Sequence, residues 1–131
     1  MNKEKPKKTV YPNQEKIYKK IIDILKNKYL PKFSKVYLTG SVASKTFGKY
    51  ESEYEGYMGS DVDIMGVLKV KIPNSWRYKG IKHGWYREYL LGEIEVESIN
   101  HPINLIMPLK NDINLFLNKM KELNKKVLRL K

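Results

Sequence analysis

Apolar positions along the chain fall into a few runs whose spacing predicts the elements. Ile17, Ile21, Ile24 and Leu25 recur at helical spacing, so the segment from Asn13 to about Tyr29 reads as a helix. Asn13 stands where an N-cap belongs, Glu15 lies in the first turn, and Pro31 ends the segment. Lys35 to Thr39 reads as a short buried strand closed by Gly40, and Ser41 then opens a helical turn from Val42 to about Phe47. Residues 48–60 are rich in Gly, Tyr and Glu without a clean period and read as a loop. Asp61 to Val70 alternates and then becomes apolar, as a strand entering a core does. Residues 71–83, with Pro73, Gly80 and His83, read as a second loop, and Trp85–Leu91, Glu93–Glu97 and Pro102–Met107 as further strands. From Asn111 to about Arg129 a last helix is predicted, with Ile113, Phe116, Leu117, Met120, Leu123, Val127 and Leu130 along one side. This order predicts an α/β or α+β fold: a small mixed β-sheet flanked by helices.

Length and composition narrow the classes. At 131 residues the chain is expected to form one domain, with residues 1–12 as a flexible basic leader. No apolar run approaches the ~20 residues of a membrane span. The basic N-terminus has no apolar stretch behind it, which predicts no signal peptide and a cytoplasmic location. Zero cysteines exclude a disulfide framework, a thiolate metal site and a cysteine nucleophile, and two histidines cannot make a three-histidine zinc site. His83 and His101 are read as structural or solvated. Trp76 and Trp85, flanking Arg77, Lys79 and Lys82, are read as apolar packing, with an acceptor or RNA contact as the alternative.

The net charge of +12 sits at the ends: residues 1–35 carry a net +8, residues 110–131 a net +5, and the middle a net −1. Basic ends suit a polyanion such as nucleic acid. They equally suit a lysine-rich surface of the kind heat-adapted proteins carry.

Candidate chemistry lies between Val36 and Leu68, in two features. The first is the passage strand–Gly40–Ser41–helix. A glycine there lets backbone approach a ligand closely, and the serine hydroxyl with the free N–H groups of a helix start can hold a phosphate. An ordinary capped turn has the same sequence. The second is Asp61-Val62-Asp63. Two residues apart on a strand, both carboxylates project from one face, ~6.5–7 Å apart along the chain. Such a pair suits a hard cation like Mg²⁺, which keeps waters and substrate phosphates in its shell. The bland alternative is a solvated strand start after the turn residues Gly59-Ser60.

Gly40-Ser41, a spacer, and then Asp61-x-Asp63 on the next strand together resemble the nucleotidyltransferases of the DNA polymerase β superfamily, above all its minimal single-domain members. The resemblance spans about residues 14–108 and is strongest over Thr39–Val67. It implies the nucleotidyltransferase fold, with Gly40 and Ser41 binding a nucleoside triphosphate. It implies that Asp61 and Asp63 hold two Mg²⁺ (or Mn²⁺) ions that activate the attacking hydroxyl and stabilise leaving pyrophosphate. The implied reaction moves a nucleoside monophosphate from an NTP, expected to be ATP, to a hydroxyl acceptor on nucleic acid or a partner protein. A helical partner protein is a further implication of the resemblance, and a homodimer would equally bury an apolar helix face. Lys45, one turn past Ser41, is a candidate phosphate contact by proximity alone. Gly40-Ser-Val-Ala-Ser-Lys-Thr46 is a poor P-loop, lacking the second glycine and one residue of spacing.

Two departures stand out. The spacer is long, the surplus being Lys49–Gly59, where Tyr50, Tyr54 and Tyr57 alternate with glutamates. Its tyrosines either pack down or stack on a base or acceptor. A third carboxylate is expected on a later strand, and the matching position reads Asn104, an amide that ligates through oxygen but adds no charge. If the last two strands form a hairpin about Ile99-Asn100, Glu95 opposes Asn104 and supplies the missing charge. A one-residue shift would turn it away, and the alternative is that Glu93, Glu95 and Glu97 are the solvent side of an alternating strand. A catalytically silent module that binds nucleotide or nucleic acid is the alternative function. A basic nucleic-acid-binding protein in which the two aspartates are a relic is a third.

Overall fold

A computed structural model describes residues 5–110 and 112–131. The fold is α+β, with two sheets and three α-helices among the described residues. The first strand, β1 (Lys8–Val10), precedes helix α1 (Gln14–Lys28). A 3-10 turn at Leu30–Lys32 leads into β2 (Phe33–Thr39), which runs directly into the five-residue α2 (Gly40–Ser44). Then come β3 (Gly48–Tyr54), β4 (Tyr57–Gly59) and β5 (Val62–Leu68). They are followed by β6 (Arg77–Lys82), β7 (Tyr86–Val96) and β8 (Ile99–Pro108). Helix α3 (Ile113–Glu122) and the short β9 (Leu128–Arg129) complete the chain. No helix among the described residues is long and apolar enough to cross a membrane.

The main sheet has the order β6-β7-β8-β5-β2-β9 and is mixed, since β5 and β8 are parallel and the other pairs antiparallel. Alternation sorts its side chains onto two faces. Val36 and Leu38 of β2, Val62 and Ile64 of β5, and Ile103 and Leu105 of β8 pack with Ile17, Ile21 and Leu25 of α1. The opposite face carries Tyr37, Met65 and Ile106, which pack with Phe116 and Met120 of α3. At ~1.5 Å per residue, α3 spans only ~15 Å of that face, and the strand ends beyond it stay uncovered.

Several elements differ from the sequence expectation. The basic leader is shorter than expected, because Lys8–Val10 pairs with Gly48–Tyr50; its first four residues lie outside the described residues. The expected loop at 48–60 is the β3–β4 hairpin, which pairs with β1 in the second sheet. Its turn residues Glu55 and Gly56 both have positive φ (50° and 89°), the pattern of a tight two-residue hairpin. Tyr50 packs down while Glu51, Glu53 and Glu55 face water. Part of the second expected loop is β6, and the strands expected at 85–91 and 93–97 are one strand, bulged between Leu90 and Gly92. Asn13 caps α1 by position but not through its side chain, whereas Asp112 accepts from the Leu115 N–H at 3.0 Å.

The last helix stops at Glu122 instead of about Arg129, and its expected first residue, Asn111, lies outside the described residues. Asn124 takes φ 55°, the chain reverses, and β9 pairs with β2. Leu128 and Leu130 therefore pack against the α1 side of the core, while Leu123 is left 58% exposed. This distinguishes two substitutions that a continuous helix would make alike. Phe116→Ala is expected to cost about 3–5 kcal/mol in urea unfolding, and Leu123→Ala less than about 0.5 kcal/mol. Equal losses would restore the longer helix.

Candidate active site

The site forms at the end of β2 and the start of β5, with the middle of β8 beside them, beyond the cover of α3. Antiparallel pairing sets Thr39 opposite Asp63, and parallel pairing sets Asn104 beside it. Thr39 is extended, and its hydroxyl donates to the Lys126 carbonyl at 3.2 Å, which ties the segment after α3 to the end of β2. The next residue, Gly40, turns the chain with φ +74°. A Cβ there would stand 2.5 Å from Asp63 Oδ2, so the Asp63 carboxylate occupies the space that any other residue's side chain would need. Position 40 requires glycine twice over, for its backbone angle and for this approach.

Ser60 holds Asp61 in place. The Ser60 N–H donates to the Gly48 carbonyl at 3.0 Å, and the Gly48 N–H donates to Ser60 Oγ at 3.1 Å. His101 Nδ1 lies 2.8 Å from the Ser60 carbonyl, and the Tyr11 hydroxyl 2.9 Å from His101 Nε2. A carbonyl only accepts, so Nδ1 carries the proton and Nε2 accepts from Tyr11. The ring is fully buried and neutral; burial lowers its pKa to about 4, against the opposing effect of the Ser60 bond. On the other side of the strand end, Ser41 Oγ donates to the Asp61 carbonyl at 3.5 Å.

Gly40, Ser41, Asp61 and Asp63 line one cleft of about 390 Å³, together with Thr39, Tyr50 and Met120. Burial raises the carboxyl pKa of Asp63 to about 7, helped by the charges of Asp61 and Glu88. Asp61 is raised too, again first by burial, while Lys5 and Lys79 act to lower it. The Tyr50 hydroxyl is pushed up to about 12 by burial and by the same two aspartates. Two hard oxygen donors that repel each other in a partly desolvated cleft fit a hard divalent cation, which would relieve the repulsion and needs only one or two carboxylates from protein. Among the described residues no third His, Cys, Asp or Glu joins them in a metal-binding cluster.

The other candidate residues separate. Lys45 takes φ 60° at the end of α2 and pairs with Glu15 of α1, and the lysines that line the cleft are Lys5, Lys8 and Lys125. Asn104 is buried at the expected place beside Asp63. Glu95 does not oppose it. The β7–β8 turn is Glu97-Ser98, one pair earlier than expected, so Glu95 opposes Asn100 and Leu90 opposes Asn104. Glu95 is exposed, and its carbonyl accepts from Lys20 at 2.9 Å. The acid whose charge reaches both aspartates is Glu88, which sequence reasoning missed because only the bulged register brings it to this face. Trp76 stacks on Phe33 and Trp85 packs near Phe116, as apolar packing requires.

Compared with known protein families, with curated proteins and with solved structures, the chain matches none.

Two substitutions separate the causes at Gly40. Gly56 also has positive φ, but nothing lies within 4 Å of its Cβ position. Gly56→Ala is expected to cost about 1–2 kcal/mol in urea unfolding and Gly40→Ala about 1–3 kcal/mol more; equal losses would remove the argument from Asp63. The pH dependence has two opposed parts. Asp63 has its pKa raised above its ordinary 3.8, so the stability linked to it is fully present below 3.8 and is lost as pH rises through about 7. Asp63→Asn should therefore raise the melting temperature at pH 8, with the gain vanishing near pH 4. The variant should then lose stability as pH falls from 6.5 toward 4, because the unfolded chain protonates His101 and the folded one does not. A variant no more stable than wild type at pH 8 would contradict the buried repulsion.

Proposed function

We propose that the chain is a metal-dependent nucleotidyltransferase of the DNA polymerase β type, moving a nucleoside monophosphate from an NTP, ATP by expectation, to a hydroxyl acceptor on nucleic acid or a partner protein. The observation that carries this reading is the Asp63 carboxylate lying against Gly40, with Asp61 and Ser41 in the same cleft. The phosphate-binding and carboxylate features, each weak alone in the sequence, thereby become one site.

In this reading Ser41 and the lysines at 5, 8 and 125 face the triphosphate, where positive charge offsets phosphate charge. Asp61 and Asp63 would hold Mg²⁺ or Mn²⁺, which when bound neutralises phosphate charge and makes the acceptor hydroxyl more acidic. A bond forms between the acceptor oxygen and the α-phosphorus. The bond from that phosphorus to the α,β-bridging oxygen breaks, and pyrophosphate leaves with the electron pair. The hydroxyl proton passes to an aspartate oxygen or to water. Tyr50, beside both carboxylates, keeps its proton at neutral pH and is available as a donor or a stacking surface.

Asn104 favours a second reading, in which the cleft binds nucleotide but transfers poorly, because the amide beside Asp63 brings no charge and no base. One experiment addresses both. Calorimetric titration of ATP with Mn²⁺ is expected to give binding in the wild type that weakens at least about tenfold in Asp61→Ala/Asp63→Ala. Label transfer from α-labelled ATP would then support the enzyme. Binding without transfer, with transfer gained in Asn104→Asp, would support the silent module. No binding, or binding indifferent to both aspartates, would overturn the nucleotide site.

A further inference from the structure

Lys79 lies on β6, the outermost strand of the main sheet, where side chains ordinarily reach into water; Arg77, Tyr78 and Ile81 do so. Lys79 does not. Tyr78 pairs with Tyr89 and Gly80 with Glu88, so Lys79 is the extra residue of a β-bulge, and Gly80 supplies the positive φ (+100°) beside it. Bulges re-aim side chains. Here the lysine crosses β7, a span of ~10 Å for two strand spacings, and its ammonium reaches Asn104 Oδ1 of β8 at 3.5 Å. It stands 3.8 Å from Glu88 and 4.0 Å from Glu55, and only 20% of its side chain is exposed. Lys79 and Asp61 line the same small cavity of about 80 Å³, which adjoins the main cleft at Asp61.

A long, flexible, strongly hydrated side chain is not drawn over a neighbouring strand without compensation. The compensation is a set of acceptors: Glu88, which Lys82 also approaches at 3.9 Å, Glu55, the Asn104 amide oxygen and, across the cavity, Asp61. Lys79 and the lysine at position 5 are the cations that act on both aspartates.

We propose that Lys79 is the fixed second cation of this site. Its ammonium takes the place beside Asn104 where a carboxylate would call for another divalent ion, so the cleft recruits one divalent ion, on Asp61 and Asp63. The inference rests on the metal-binding reading above and deepens it. Lys79 is a positioning residue, acting through Asp61 and Asn104, and its charge competes with the recruited ion for the same carboxylate.

That competition gives a sign that a merely structural lysine would not. Mn²⁺ binding is read by electron paramagnetic resonance, with Mn²⁺ alone and with the non-hydrolysable α,β-methylene-ATP, and circular dichroism checks the fold. One Mn²⁺ per wild-type chain is expected, lost in Asp61→Asn/Asp63→Asn. Lys79→Met should bind Mn²⁺ about three- to tenfold more tightly, and Lys79→Arg as wild type does. Lys79→Met/Asn104→Asp should bind two ions per chain. Two ions in the wild type, or a folded Lys79→Met that binds Mn²⁺ no more tightly, would overturn the proposal while the aspartate site stands. No Mn²⁺ bound by the wild type would overturn both.

Discussion

The register of β5 against its two neighbours is the constraint on which the rest of the site depends. Antiparallel to β2 it sets Asp63 opposite Thr39, and parallel to β8 it sets Asp63 beside Asn104. A slip of one residue on either side would send Asp63 into the α1 face and expose Ile64. The register is secured by what lies on that face: Val62, Ile64, Val36, Leu38, Ile103 and Leu105 are all fully buried, and none can be exchanged for a carboxylate without losing core. The hydrophobic core thus aims the acids, by using the opposite parity of the same strands.

Coverage decides what the acids can do. Helix α1 closes one face of the sheet, whereas α3 ends after ten residues and the chain turns back as β9. The uncovered strand ends become the cleft. Its floor is costly, because the Asp63 carboxylate fills the space beside Gly40 with Asp61 as a close like charge. Neutral His101 and Ser60 hold that arrangement from behind without adding charge. Cations are supplied instead from elements distant in sequence, β1, β6 and the segment after α3. Net charge along the chain gave no hint of this balance: the middle, residues 36–109, is mildly acidic, yet its cleft is rimmed by lysines from both basic ends.

Much of the scaffold was legible in the sequence. Helix α1, the core of β2, the Gly40 turn and the start of β5 came from local patterns: a helical apolar stripe, a short apolar run, a glycine before serine, alternating residues after Asp61. The hairpin at 48–60 was legible only in its spaced tyrosines, Tyr50 and Tyr54 ahead of Glu55-Gly56, since Ser52 interrupts the alternation of polar and aromatic residues. Without an apolar partner in the sequence to pair it with, that broken alternation looked like an irregular loop. The late strands were found but misaligned, because Glu97-Ser98 turns the chain without the glycine or asparagine that usually marks such a turn. The turn, two residues early, left Glu95 exposed opposite Asn100, while Glu88 went unnoticed because its face depends on the bulge between Leu90 and Gly92.

The sequence by itself determined the identity of the acids, the glycine beside them and the faces of the strands that carry them, because strand parity and glycine's freedom are properties of neighbouring residues. Only the tertiary structure decided which cations answer those acids. Lys45, close in sequence, is held by Glu15, while Lys79 arrives through a bulge and Lys5, Lys8 and Lys125 through strand pairing and chain reversal. A long charged side chain has no periodic signature of its own. Where it ends depends on the register of the strand beneath it and on which opposite charges that register brings within reach.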